Sequence, residues 1–109
     1  MKRTRPYSPR TVEVGRLLGR QVQLARHEHS WSESELAERV GVTRLTLRKV
    51  ERGDLSVELG IALEAAALLG IPLFHEDELR LRAELARIDD RLTLLPRRVR
   101  QPSKVDDDF

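Results

Sequence analysis

The chain has 109 residues, a formal net charge of +2 and no cysteine. That length supplies one modest core rather than two, and the absence of thiols excludes both a disulfide framework and a thiolate metal site. The small net charge hides a segregation, since residues 1–52 carry twelve Lys/Arg against six Asp/Glu and residues 53–96 carry four against nine; a one-sided basic field is the footprint of a polyanionic partner.

Residues 1–10, MKRTRPYSPR, combine Lys2, Arg3, Arg5 and Arg10 with two prolines and no helical period, the composition of a flexible basic arm. They lack the apolar run of a secretion signal, and nowhere does the chain approach the ~18 apolar residues of a membrane span. A cytoplasmic location is expected. From Thr11 to His27 the apolar residues Val14, Leu17, Leu18, Val22 and Ala25 recur at helical spacing and predict a first helix facing inward along them. Ser32 and Glu35 then have the spacing of a capping box, with Trp31 and Leu36 at the staple positions, which predicts a second helix over Glu33–Val40. Gly41 ends it, and Thr43 caps a third helix that closes at Gly53, with Val42 and Leu47 as its staple.

Ser56 is placed to cap a fourth helix over Val57–Leu69 with Ile61, Ala62, Ala65, Leu68 and Leu69 inward, stopped by Gly70 and Pro72. The fifth begins near Glu76 or Asp77, where acids favour the positive end of the helix dipole, and runs to Pro96. Its Leu81, Leu85, Ile88, Leu92 and Leu95 alternate spacings of four and three, a stripe suited to dimerisation. No stretch alternates as a strand does, so the expected class is all-α. The organisation is an arm (1–10), a helical domain (11–75) that holds the motif described next, a C-terminal dimerisation helix (76–95) and a disordered tail (96–109).

Within Glu33–Arg52, Ala37 is small where two helices would cross, Gly41 sits in the turn, and Leu36, Val40, Val42, Leu47 and Val50 supply a shared seam. At about 100° per residue, turning Leu47 and Val50 inward leaves Arg44, Leu45, Arg48 and Lys49 on the outer face. The pattern from about Leu17 to Leu73, with Val50-Glu51-Arg52-Gly53 and a further helix ending in Leu69-Gly70, resembles the lambda-repressor-like helix-turn-helix family of XRE and Cro type.

That resemblance implies a five-helix fold whose third helix enters the major groove of DNA while the second lies across the backbone. It places Arg44, Leu45 and Lys49 at base edges, and Thr43, Thr46 and Arg48 nearer phosphates or flanking bases. It also makes Arg26 and Glu51 a structural ion pair. Glu33 departs from the glutamine common at the start of the second helix; an acid there would repel a phosphate, so Glu33 is left out of the expected site.

The three histidines, His27, His29 and His75, do not form a metal set, because the first two do not share a helical face and no acid or thiol completes a coordination sphere. Neither a phosphate loop, a nucleophile elbow nor a zinc-protease pattern is present, so an enzyme is not expected, and neither is a cofactor. The layout of a small repressor-like domain with a charged tail ending in Asp106, Asp107, Asp108 and Phe109 is similar to the HipB-like antitoxins. That likeness implies an autoregulatory repressor, homodimeric on a palindromic operator, that pairs with a HipA-like kinase toxin. Two alternatives stay open at this stage: a stand-alone or phage-like repressor without a toxin, and an interaction adaptor that has lost DNA binding.

Overall fold

The computed structural model describes residues 6–74 and 77–96. Among them are five helices and no strand: α1 (Pro9–Glu28), α2 (Glu33–Val40), α3 (Arg44–Arg52), α4 (Leu59–Leu68) and α5 (Glu78–Thr93). The chain divides into two compact units at the Leu73–Phe74 junction, with α1 to α4 in the first and α5 in the second. Lys2, Arg3 and Arg5 of the basic arm, His75, Glu76 and the tail from Arg97 lie outside the described residues.

In the first unit the side chains of Val22, Leu36, Ala37, Leu47, Val50, Ala65 and Leu69 make one buried cluster, drawn from α1 to α4 and the residue that follows α4. Leu36, Leu47 and Val22 are its largest fully buried members. α3 packs on both α1 and α2, and α2 packs in turn on α4. The exposed side of α3 is therefore set by what its opposite side must bury.

Local chemistry fixes the helix ends that frame this packing. The Ser32 Oγ accepts from the Glu35 amide at 3.1 Å, and the Glu35 carboxylate accepts from the Ser32 amide at 2.8 Å. Two first-turn donors are thereby satisfied reciprocally. At the other end of α2, the amides of Gly41 and Val42 both reach the Ala37 carbonyl, at 2.8 and 2.9 Å. The Thr43 hydroxyl then accepts from the Thr46 amide at 3.1 Å and starts α3 only two residues after α2 has closed.

α1 and the end of α3 meet main chain to main chain. A Cβ on Gly19 would lie 2.5 Å from the Glu51 carbonyl oxygen, and one on Gly53, itself at φ 78°, would lie 2.7 Å from the Gly15 carbonyl oxygen. Only glycine fits both places, and at Gly53 it also relieves the strain of the left-handed backbone.

Four expectations are corrected. The arm was expected to reach residue 10, but Ser8 caps α1 and Pro9 occupies its first turn, so Arg10 is helical. Proline at that position lacks only an amide that the helix leaves unpaired in any case. Val14 and Leu17 do not face the core; they are 54% and 58% exposed. The packed face of α1 runs through Gly15, Leu18, Gly19, Val22 and Arg26, and glycines leave no hydrophobic mark in a pattern. Ser56 does not cap α4: its hydroxyl and its amide both donate to the Asp54 carboxylate, at 2.7 and 2.9 Å, so the turn ends before the helix starts at Leu59. Finally, Ala66 is buried and Leu68 is exposed in α4, whose nearly unbroken apolar sequence has no period from which a face is chosen.

In the second unit, α5 starts where the Asp77 carboxylate accepts from the Leu79 amide at 2.9 Å, and it contains no buried residue.

Candidate nucleic-acid interface

α3 is nine residues long, and its buried residues are Leu47, Val50 and Glu51. The spacing of three and four puts these on one side, and Arg44, Leu45 and Arg48 are exposed on the other. Leu45 is 59% exposed, an apolar side chain left in water on the same face as two arginines. Among the other residues expected at the site, Lys49 and Thr46 are half-buried. Thr43 uses its hydroxyl as the α3 cap and also donates to the Thr46 Oγ1 at 3.1 Å, so the two threonines satisfy each other.

α1 and α3 add further positive charge beside this face. Arg20, Gln23, Arg48 and Arg52 line an open cleft together with Glu33 and Glu51. Arg20 is steadied by donating from Nη1 to the Glu51 carbonyl at 3.2 Å. Three guanidinium groups around one cleft suit a phosphate oxygen, which each can meet with paired N–H donors.

Glu33, left out of the expected site, is in contact with it. Its Oε1 accepts from the Arg48 Nε at 3.0 Å and lies 3.9 Å from the Arg44 Nε. The hydrogen bond from Arg48 holds the Glu33 carboxyl below the usual carboxylate range, with the nearby positive charges of Arg48, Arg26 and Arg44 acting in the same direction. The acid at the start of α2 therefore neutralises part of the outer face of α3 and orients the Arg48 guanidinium. Its unusual type at that position was visible in the sequence, but its partner stands fifteen residues away on another helix.

Beneath the face lies a second pair. Arg26 donates from Nε to the Glu51 Oε2 at 2.7 Å, from Nη2 to Oε1 at 3.2 Å and from Nη1 to the Trp31 carbonyl at 3.0 Å. Both residues are 5% exposed. The hydrogen bond to Glu51 raises the Arg26 pKa above its ordinary value and outweighs the opposing effect of burial. This fork joins α1 to α3 and ties both to the Trp31 turn before α2. Trp31 in turn carries the Arg39 guanidinium 4.2 Å from its ring centroid, a cation–π contact.

The arrangement is a buried scaffold that presents a short, exposed, basic helix with two capped ends. A family model described as helix-turn-helix matches residues 22–75, which span the end of α1 and all of α2, α3 and α4. These residues form a helix-turn-helix domain of the XRE type. The XRE-type helix-turn-helix is a domain of DNA-binding regulators and is typically non-enzymatic. In such a domain α3 holds the place of the recognition helix and α2 that of the helix crossing the backbone. No curated protein and no solved structure gives a significant match to the chain. Among the described residues, no helix is long and apolar enough to cross a membrane, and no cluster of His, Asp and Glu is arranged to hold a metal.

Proposed function

We propose that this protein is a sequence-specific transcriptional repressor that binds a palindromic operator as a homodimer and represses its own gene. The observation that carries the reading is the outer face of α3, where Arg44, Leu45 and Arg48 stand in solvent above a buried seam. Arg44 and Lys49 supply donors for guanine O6 and N7, and Leu45 supplies an apolar contact for a thymine methyl. Arg48, Thr43 and Thr46 serve phosphates and flanking bases, with Arg20 and Arg52 beside them. Phosphate contacts fix register and make affinity fall steeply with salt.

In the two-fold arrangement, α5 joins two copies, and paired α3 helices meet successive turns of DNA about 34 Å apart. The finer reading is that of an antitoxin whose C-terminal region also holds a HipA-like kinase. It rests on the layout of a small domain followed by a charged, proline-bearing stretch, RRVRQPSKVDDDF.

The test is fluorescence anisotropy on the duplex upstream of the gene and on a scrambled duplex of equal length, across a salt series. Preference for the upstream duplex by a factor of about 10³ or more is expected. Equal binding to both, weakening with salt, would refute operator recognition on that fragment and favour an adaptor. Co-purification of a kinase-like protein with the tagged chain tests the antitoxin reading, and its absence from a strain that expresses both genes would leave a stand-alone repressor.

A further inference from the structure

α5 is a sixteen-residue helix without a buried side chain. Helices near this length are marginal in water without a packed face. Its apolar stripe is nevertheless continuous: Leu81, Leu85, Ile88 and Leu92 are between 43% and 61% exposed, while Leu95, expected to extend it, lies beyond the helix end at Thr93. In heptad terms Leu85 and Leu92 occupy a, while Leu81 and Ile88 occupy d. The flanking positions are charged on both sides, with Glu84 and Arg91 at g and Arg82 and Asp89 at e.

Those four charges discriminate among the ways in which two copies can pair. Side by side in parallel, Glu84 would face Asp89 of the other copy twice. Antiparallel, with Leu85 against Ile88 and Leu81 against Leu92 of the other copy, Glu84 faces Arg91 and Arg82 faces Asp89. Every flanking pair is then of opposite sign. Sliding this antiparallel pairing by one heptad either way sets Arg91 against Arg91 and Asp89 against Asp89, or Glu84 against Glu84 and Arg82 against Arg82. Flanking charges at e and g set partner choice and orientation in coiled coils, and here a single register satisfies all of them.

We propose that α5 pairs with α5 of a second copy as an antiparallel two-helix coil in that register, centred between residues 86 and 87. The proposal rests on the dimeric reading above and adds its interface, direction and alignment. Existing contacts within α5 are compatible with it. Glu84 already accepts from Arg87, and a carboxylate has acceptor sites for a second guanidinium. Arg82 lies 3.8 Å from Glu78 on its own helix and keeps further donors for Asp89 of the second copy.

Because the sequence has no cysteine, single cysteines report the geometry directly. Full-length L81C and L92C are oxidised separately and as a mixture. In the proposed register residues 81 and 92 of opposite copies are neighbours, whereas each lies eleven residues, or roughly 16 Å, along the axis from its own equivalent. Disulfides need Cα atoms closer than about 7 Å. The expected result is a cross-linked species from the mixture alone. Cross-linking of L92C by itself would establish a parallel pair and overturn the proposal; a wild-type dimer by sedimentation with no cross-link in any sample would place the interface elsewhere and overturn it too.

The charge pattern is tested in R91E, which should raise the dimer dissociation constant about tenfold by setting two exposed pairs in repulsion, and in E84R/R91E, which should restore it. An unchanged constant in R91E would overturn the register. Operator anisotropy on the same samples separates the two readings: cross-linking in the expected pattern without operator preference defeats the repressor and leaves the coil, while operator preference without it does the reverse.

Discussion

Two arginine–glutamate pairs flank α3, and they differ in their access to water. Arg26 and Glu51 are each 5% exposed, whereas the side chains of Arg48 and Glu33 keep 48% and 33% of their surface. The inner pair has given up hydration on both sides, so neither member can be lost without stranding the other charge in the core. The outer pair is screened and loosely held, and its arginine can exchange a carboxylate oxygen for a phosphate oxygen at little cost. The same chemistry is therefore structural on one side of the helix and available for binding on the other.

The contrast is tested most severely on the inner side. Leu47→Asp should unfold the domain, because truncating a fully buried leucine costs about 2–5 kcal/mol and an unpaired buried carboxylate adds to that. A cooperative thermal transition near that of the parent would show that this side is not the packed one. Glu51→Ala should destabilise by about 3–5 kcal/mol in chemical denaturation, since Arg26 is left buried and unpaired. A loss below about 1 kcal/mol would move this pair into the same class as the outer one.

On the outer side the order of effects inverts. Arg44→Ala should leave stability within about 0.5 kcal/mol yet weaken operator binding by about 1–3 kcal/mol, measured by anisotropy beside a denaturation curve. Glu33→Gln should tighten binding to a scrambled duplex severalfold at low salt, by removing the exposed acid that pairs with Arg48 on this face. Unchanged affinity would mean that the carboxylate does not compete with phosphate.

The smallest effect is on titration. Glu33 has a lowered folded pKa, so its contribution to stability is present above the unfolded value and is lost as pH falls through the folded one. Its carboxyl should titrate below the ordinary glutamate value of about 4.3 in an NMR pH series, and Arg48→Ala should return it toward that value.

Much of this contrast was legible in the chain itself. The capping box at Ser32 and Glu35, the turn at Gly41 and the cap at Thr43 are short-range signals, and each is decided by residues within four positions of one another. α4 was less legible because Leu59, Ile61, Leu63 and Leu68 are all apolar, which lets tertiary packing choose Ala65 and Ala66 for the core. On α1 the glycines that make close contact are silent in a hydrophobic pattern, so Val14 and Leu17 took their place in the expected face. The role of Glu33 was hidden for a different reason: its contact with Arg48 exists only once α2 and α3 are folded against each other.

The glycine contact between α1 and the end of α3 has a consequence for how such a protein changes its target. With main chain against main chain at Gly19 and Gly53, the approach of α1 to the end of α3 is set by backbone atoms, and the Arg26–Glu51 pair holds the two helices together beside it. Substitutions at Arg44, Leu45 and Arg48, on the opposite side of α3, should leave that approach unchanged, whereas a Cβ on Gly19 would force the two main chains apart. On the proposed reading, a new target would be reached by editing the outer face one residue at a time, above a helix seat that stays fixed.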